Sequence, residues 1–168
     1  MIGIRYKIYD REFRQAIDGL TGRLKNLSKP LRECGLVGLR SISKTFKAGG
    51  RPVRWKPSKR AKMTGGQTLI DTARLLRSIT MEVKATSVSW GTKLKYAAIH
   101  HLGGTIPARV VLPRRAKALR WIDRQGNVRF AKKVHIPAFT MPAREFLVIQ
   151  DEDWRVFKRI FADYITGT

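Results

Sequence analysis

Between Trp90 and Gly104 the chain gathers the side chains best able to do chemistry. They are an indole, the phenol of Tyr96, the adjacent imidazoles of His100 and His101, and the Gly103-Gly104 pair. A metal site needs several imidazole, thiolate or carboxylate ligands converging on one point. The chain has three histidines and one cysteine. Neighbours on a helix point about 100° apart, so His100 and His101 do not share a face, and His135 sits among strand residues. A hydrolytic nucleophile needs a base beside it. No Gly-x-Ser-x-Gly elbow is present, and Cys34 has no histidine near it in sequence. Paired carboxylates are the other common hydrolytic tool. Here Asp10 and Asp151 stand where helix caps are wanted, Asp71 opens a short helix, and Glu82 is alone in a strand. No Gly-Lys-Ser/Thr follows Gly103-Gly104, so this is not a phosphate-cradling loop. The one enzymatic combination left is a small nuclease built on His100, His101 and Glu82. The stretch reads better as packing: Trp90 and Tyr96 are large anchors with a polar tip, and His100 lies one helical turn after Tyr96. No catalytic, metal or cofactor set is expected.

The elements that hold these residues follow from periodicity. Ile2, Ile4, Tyr6 and Ile8 alternate as a strand does. Asp10 offers a cap to a helix whose inner positions are Phe13, Ile17, Leu20, Leu24 and Leu27. Ser28 and Pro30 open a second helix, with Leu31, Cys34, Leu39, Ile42 and Phe46 inward. Gly35 and Gly38 weaken that helix or admit a close neighbour, and Gly49-Gly50 ends it. Residues 49–68 read as a basic flexible loop and 68–79 as a short helix. Strands at 79–83 and 88–90 form a hairpin. A brief helix carries Tyr96, Ile99 and His100, and a strand is expected at 110–112. The turn Arg124–Asn127 joins two further strands. Asp151, Glu152 and Asp153 mark the start of a last helix, striped by Trp154, Phe157, Phe161 and Tyr164. The expected fold is α+β, a single domain over 1–168. N-terminal helices and a C-terminal helix would pack on a mainly antiparallel sheet.

Charge is the strongest compositional signal. The chain has 168 residues, 35 Lys and Arg against 12 Asp and Glu, and a net charge of +23. The cations recur along the whole length, and such a surface attracts phosphate or acidic protein. A sequence-nonspecific nucleic-acid-binding protein is therefore the alternative to a protein-docking role. It lacks any recognised RNA- or DNA-reading signature. A lone cysteine excludes an intrachain disulfide. No run is long enough to span a bilayer, and no signal-like segment opens the chain. The expectation is a protein of a reducing cytoplasm, with no membrane partner.

The order of landmarks resembles the phage virion morphogenesis family, the tail-completion or head–tail joining proteins. Trp55-Lys-Pro57 matches a Trp-x-Pro loop. Leu69 through Ile79, with Thr72, Ala73, Leu75 and Ser78, matches a Leu-x-x-Thr-Gly-x-Leu-x-x-Ser-Ile segment in which Ala73 replaces glycine. Gly91-Thr92 follows. Tyr96-Ala-Ala-Ile-His100 is similar to Tyr-Ala-x-x-His, with His101 in place of glutamine, and Gly103-Gly104 matches a glycine pair. Pro142-Ala-Arg144-Glu145-Phe146-Leu147 resembles Pro-Ala-Arg-Pro-Phe-Leu. The resemblance implies an α+β protein without catalysis. It implies a homo-oligomer, a ring that is often sixfold, in the virion at the neck or proximal tail end. Tail-tube or terminator and head-connector proteins would be its partners. Among the motif residues, Trp55 is expected to anchor the basic loop, and Tyr96 and His100 to fix the short helix. Gly103 and Gly104 are expected at positive φ, Arg144 beside an acid, and Phe146 and Leu147 beneath the last helix.

Residues 113–134 are read as a protruding basic hairpin. Alternation along each strand groups Leu119, Trp121, Val128, Phe130 and Val134 on one side. Arg120, Ile122, Arg124, Arg129, Ala131 and Lys133 fall on the other. That cationic side, with Arg114, Arg115 and Lys117, would face a partner protein, or DNA in a ring lumen through phosphates without base reading.

Overall fold

The structure, a computed structural model, describes residues 11–114, 116–123 and 125–167, less the side chains of Glu12 and Phe13. The strand expected at 2–8, the Asp10 cap, the Phe13 side chain, Arg115 and Arg124 lie outside the described residues. In chain order the elements are α1 (Arg11–Lys25), α2 (Ser28–Ala48), α3 (Lys59–Thr64), α4 (Arg74–Arg77), β1 (Thr80–Val83), β2 (Val88–Gly91) and α5 (Ala97–Leu102). Then come β3 (Gly104–Ile106), β4 (Arg109–Val111), β5 (Leu119–Ile122), β6 (Val128–Ala131), β7 (Val134–Ile136), β8 (Phe139–Met141) and α6 (Asp151–Thr166). They form two compact units. One holds the residues up to Leu94 and from Phe146 onward; the other is Lys95–Glu145.

In the first unit α2 is the central element. Its buried face is Leu31, Cys34, Gly35, Gly38, Ser41, Ile42, Thr45 and Phe46, a helical stripe. The antiparallel pair β1–β2 and the C-terminal α6 both pack on this helix. The cross-strand partners Met81 and Trp90 meet the two glycines. A Cβ on Gly35 would collide with the Met81 sulfur, and one on Gly38 with the Trp90 indole. The Trp90 Nε1–H donates to the Gly35 carbonyl at 2.9 Å, and its ring lies parallel to Phe157 of α6 at 6.3 Å. The glycines are thus places of close approach, the second of the two roles the sequence allows them. Phe46 and Phe146 are fully buried against each other, with centroids 5.3 Å apart. The α2 helix ends as expected, at Gly49 in the left-handed region.

Two local expectations change. The stretch 49–68 is not irregular throughout. It contains α3, capped by the Ser58 side chain, which accepts from the Ala61 N–H at 3.1 Å. The helix expected over 68–79 shrinks to the four residues of α4. Leu69 and Ala73 both have positive φ, 62° and 58°, which breaks helical continuity. The Arg60 Nη2 takes the carbonyls of Gln67 and Ile70 at 2.6 and 2.7 Å. The Gln67 carbonyl also accepts the Ile70 N–H in a turn, at 3.4 Å. Ser28 begins α2 but is not its cap, since Leu27 occupies that position without a side-chain bond.

The second unit is mainly a long two-stranded ribbon. β3 pairs with β8, β4 with β7 and β5 with β6, all antiparallel and nested. One register runs unbroken from Gly104↔Met141 to Val111↔Val134. Only the hydrogen bonding lapses, where Pro107-Ala108 stands opposite Pro137-Ala138, because proline has no N–H to give. The register then shifts. Seven residues separate β4 from β5, while only 132 and 133 separate β6 from β7. At the far end, Asp123 holds the turn by accepting from the Gln125 and Asn127 N–H groups, each at 2.9 Å.

This pairing corrects the two-sided hairpin. Directly opposed residues share a face, and the register sets Trp121 opposite Arg129 and Arg120 opposite Phe130. One face is therefore Leu119, Trp121, Arg129 and Ala131. The other is Arg120, Ile122, Val128 and Phe130. Each mixes apolar and cationic side chains. Alternation holds within each strand, but a strand's phase relative to its partner depends on the turn between them.

Candidate functional site

The basic surface expected from the sequence lies on the ribbon. Between Gly104 and Met141 there are nine Lys and Arg and one acid, Asp123. Arg114 and Lys117 are exposed between β4 and β5, and Lys133 is exposed between β6 and β7. Arg120 and Arg129 are exposed on opposite faces of the β5–β6 hairpin. Their settings differ. The Arg129 Nε donates to Asp123 Oδ2 at 2.8 Å, so its charge is locally matched. Hydrogen bonds from the Asn127 N–H and then from Arg129 hold the Asp123 carboxyl below its usual pKa. Arg120 has no ion-pair partner among the described residues. The described members of the expected cationic set lie on one ribbon, but not on one face of it.

The motif residues occupy structural positions in both units. In the first, Trp55 meets Phe46 edge-on at 5.6 Å, and its N–H donates to the Gly49 carbonyl at 2.8 Å. Gly50, at φ 114°, leaves no room for a Cβ beside the Val53 carbonyl and the Trp55 nitrogen. Pro57 is exposed. Gly91 ends β2 opposite Thr80. Next to it the Thr92 hydroxyl bonds the Ser78 hydroxyl at 2.7 Å, tying α4's end to the hairpin. Phe146 is fully buried, and Leu147 is half-buried.

In the second unit Tyr96 precedes α5 and meets the His100 ring edge-on at 5.9 Å. Gly103 and Gly104 have φ of 71° and 134°. A side chain at Gly103 would strike the Ala143 nitrogen and the Met141 carbonyl. The Arg144 N–H donates to the His100 and His101 carbonyls at 3.0 and 3.3 Å, which fastens the chain after β8 to the end of α5. Arg144 is buried, and Pro142 is half-buried. Burial, and then the positive Arg144, lower the His100 pKa below 6.5, so its neutral form is favoured. Its Nδ1 is buried with no hydrogen-bond partner among the described residues.

The residues weighed for catalysis are not assembled into a metal set. Among the described residues no group of three His, Cys, Asp or Glu could hold an ion. Glu82 is an exposed β1 residue 4.0 Å from Lys84, while all three histidines belong to the other unit. Cys34 is buried, and desolvation followed by Glu33 raises its pKa. That is opposite to what a thiolate nucleophile needs. No helix among the described residues is long and apolar enough to cross a membrane.

The polar cluster that sequence reasoning missed is centred on Arg51. Its guanidinium donates to the Ser41 carbonyl and hydroxyl at 2.9 and 2.8 Å, to the Thr45 hydroxyl at 3.2 Å, and to Glu152 at 2.7 Å. The buried Asp153 accepts from the Ser41 hydroxyl and from the Gln150 N–H. The cluster ties α2, the following loop and the start of α6 together. Its only sequence signal is the Gln150-x-x-Asp153 spacing of a capping arrangement.

Comparison with known proteins adds the lineage. The model of the phage virion morphogenesis family matches residues 8–166. A curated relative described as Mu-like prophage FluMu G protein 2, from Haemophilus influenzae, is 32% identical over 110 residues. That alignment covers 61% of this chain and 77% of the relative. No solved structure matches. With nearly its whole length matched, the chain belongs to the phage virion morphogenesis family, and its general role lies in building the phage tail.

Proposed function

We propose that this chain is a structural, non-enzymatic virion component. It assembles as a homo-oligomeric ring, hexameric in the simplest case, at the neck or proximal end of the tail. There it completes the tail and lets the head join, with tail-tube or terminator proteins on one side and head-connector proteins on the other. The observation that carries this reading is the ribbon. Nine cations and one acid over residues 104–141 make a docking element, with long-range attraction for acidic surfaces and orientation set by charge. The engagement of other polar groups within the fold supports it. Arg51, Asp153, Arg60, Ser78 and Thr92 are all occupied in holding the chain together.

The test joins two measurements. Native mass spectrometry of the purified chain at assembly-like concentration should give a closed oligomer. A phage lacking the chain should yield heads and tails that do not join, and purified chain should restore joining. A strict monomer both alone and beside tails, or fully infectious particles without the chain, would overturn the proposal.

The same ribbon favours a second reading, nonspecific contact with nucleic acid. It predicts duplex binding whose logarithm falls with log salt at a slope of about −0.9 per phosphate neutralised. Absence of binding at low salt removes it. Incubation of DNA with the chain and a divalent metal should leave the DNA uncut.

A further inference from the structure

We infer that the open face of the β5–β6 hairpin, Arg120, Ile122, Val128 and Phe130, is a docking site for an acid-rimmed apolar cleft on a different virion protein. The inference rests on the proposed structural role and names the partner of its ribbon.

The two faces of this hairpin are not equivalent. On one, Leu119 and Ala131 are half-buried, Trp121 is 40% exposed, and the arginine is matched by Asp123. On the other, Phe130 is 66% exposed, Ile122 61% and Val128 44%. Ile122 and Val128 are direct cross-strand partners, and Phe130 stands opposite Arg120. Three large apolar side chains thus share one face with a cation that lacks an ion-pair partner among the described residues. Contiguous apolar groups with an arginine beside them are the composition of an interface anchor. A two-stranded hairpin is also marginal when its apolar side is left in water, so covering this face stabilises the hairpin.

Charge decides between occupants. The hairpin is flanked by Arg114, Lys117, Lys132 and Lys133, all exposed. A second copy also carries +23 and has few acids to offer. Glu152, Asp71, Glu82 and Asp123 already face Arg51, Arg60, Lys84 and Arg129 of their own chain, and the exposed Asp18, Glu33, Asp151 and Asp163 are spread over three helices among cations. Copy-on-copy docking here would set cations against cations. Nucleic acid fits the flanking cations but not the face itself. One cation in four positions is a poor phosphate track, and Phe130 is a single ring beside the aliphatic Ile122–Val128 pair, where strand binding uses successive stacking rings. A foreign apolar cleft with acidic margins satisfies both the face and its surroundings.

The test uses the full chain and particles assembled without it. Wild-type chain is bound to purified tails and, separately, to purified heads from that phage, beside Phe130→Ser, Ile122→Ser and the salt-sensitive control Lys117→Glu. Phe130→Ser should weaken binding to one particle type by about thirtyfold or more, the range of an interface anchor. The melting temperature, the oligomer seen alone and the affinity for a 20-base-pair duplex should be unchanged. Ile122→Ser should repeat the effect without removing an aromatic ring. Full retention of binding by both serine variants overturns the inference. So does loss of the oligomer in isolation, which would make a second copy the occupant, or a parallel loss of duplex affinity, which would make it nucleic acid. If wild-type chain itself binds neither heads nor tails, the proposed function fails with it. If wild-type binds and both variants match it, only this inference fails.

Discussion

Gly38 offers a test of the packing in which the sign of the effect is the result. In an exposed helix, alanine in place of glycine stabilises by about 1 kcal/mol. At Gly38 the new Cβ would lie under 3.0 Å from Cζ2, Cε2 and Nε1 of Trp90. The indole has little freedom to yield, because its N–H is bonded to the Gly35 carbonyl and its face lies on Phe157. Overpacking of this kind costs about 1–3 kcal/mol, and losing the indole hydrogen bond about 1 kcal/mol more. Set against the helical gain, Gly38→Ala should destabilise by about 1–3 kcal/mol. For a chain of this size that lowers the melting temperature by about 2–10 °C. At Gly19 and Gly22 of α1 an added Cβ would meet nothing within 4 Å. Their alanine variants should raise the melting temperature, each by about 0.5–1 kcal/mol of stability. Gly35→Ala should fall between, since the atom it meets most closely belongs to the flexible Met81 thioether, with the Val88 Cγ2 next at 3.1 Å. Calorimetry on the four variants is sufficient. A Gly38→Ala protein that melts above wild type, alongside Gly19→Ala, would refute the claim that β2 is seated on α2 through this glycine.

Other outcomes follow from single positions. Ala73 sits at φ 58°, where glycine carries no Cβ penalty; Ala73→Gly should stabilise by about 0.5–1 kcal/mol, unlike most alanine-to-glycine changes, and a lower melting temperature would deny the left-handed turn. Phe146→Ala removes a fully buried ring from its contact with Phe46 and should cost about 3–5 kcal/mol; a soluble variant with an unshifted melt would show that the ring is not in the core. His100 has its folded pKa lowered, so its neutral form favours the fold. That contribution is complete above pH 6.5 and is lost as pH falls through the lower folded value. Urea midpoints measured downward from pH 7 should decline more for wild type than for His100→Gln, and identical pH profiles would contradict the half-buried setting of His100.

Some features follow from local pattern. The inner face of α2 was readable because apolar residues recur at helical spacing, a property of the chain alone. So were the Gly49 stop, the 80–83 and 88–91 hairpin and the acidic start of α6. The tail-building lineage was readable from Trp55, Tyr96, His100 and the Phe146 segment in order, although each is a weak signal singly. The structure then gives most of these motif residues a packing or turn role, such as Trp55 on Phe46 and Gly103 beneath Ala143.

What could not be read required contacts between distant residues. The helix expected over 68–79 is interrupted while Arg60, from another element, holds the carbonyls of Gln67 and Ile70. The Arg51 cluster draws on α2 and α6, 101 residues apart at its Glu152 bond. The hairpin's faces depended on register: each strand's alternation is local, but which residue stands opposite which is set by the Asp123 turn and the pairing it closes. The sequence alone determined the types of element, the cationic excess and the family, because periodicity, charge and motif order are carried along the chain. Tertiary structure alone decided which arginine is matched, which apolar face stays open and which glycine admits an indole, because each is a distance between residues that the chain order keeps apart.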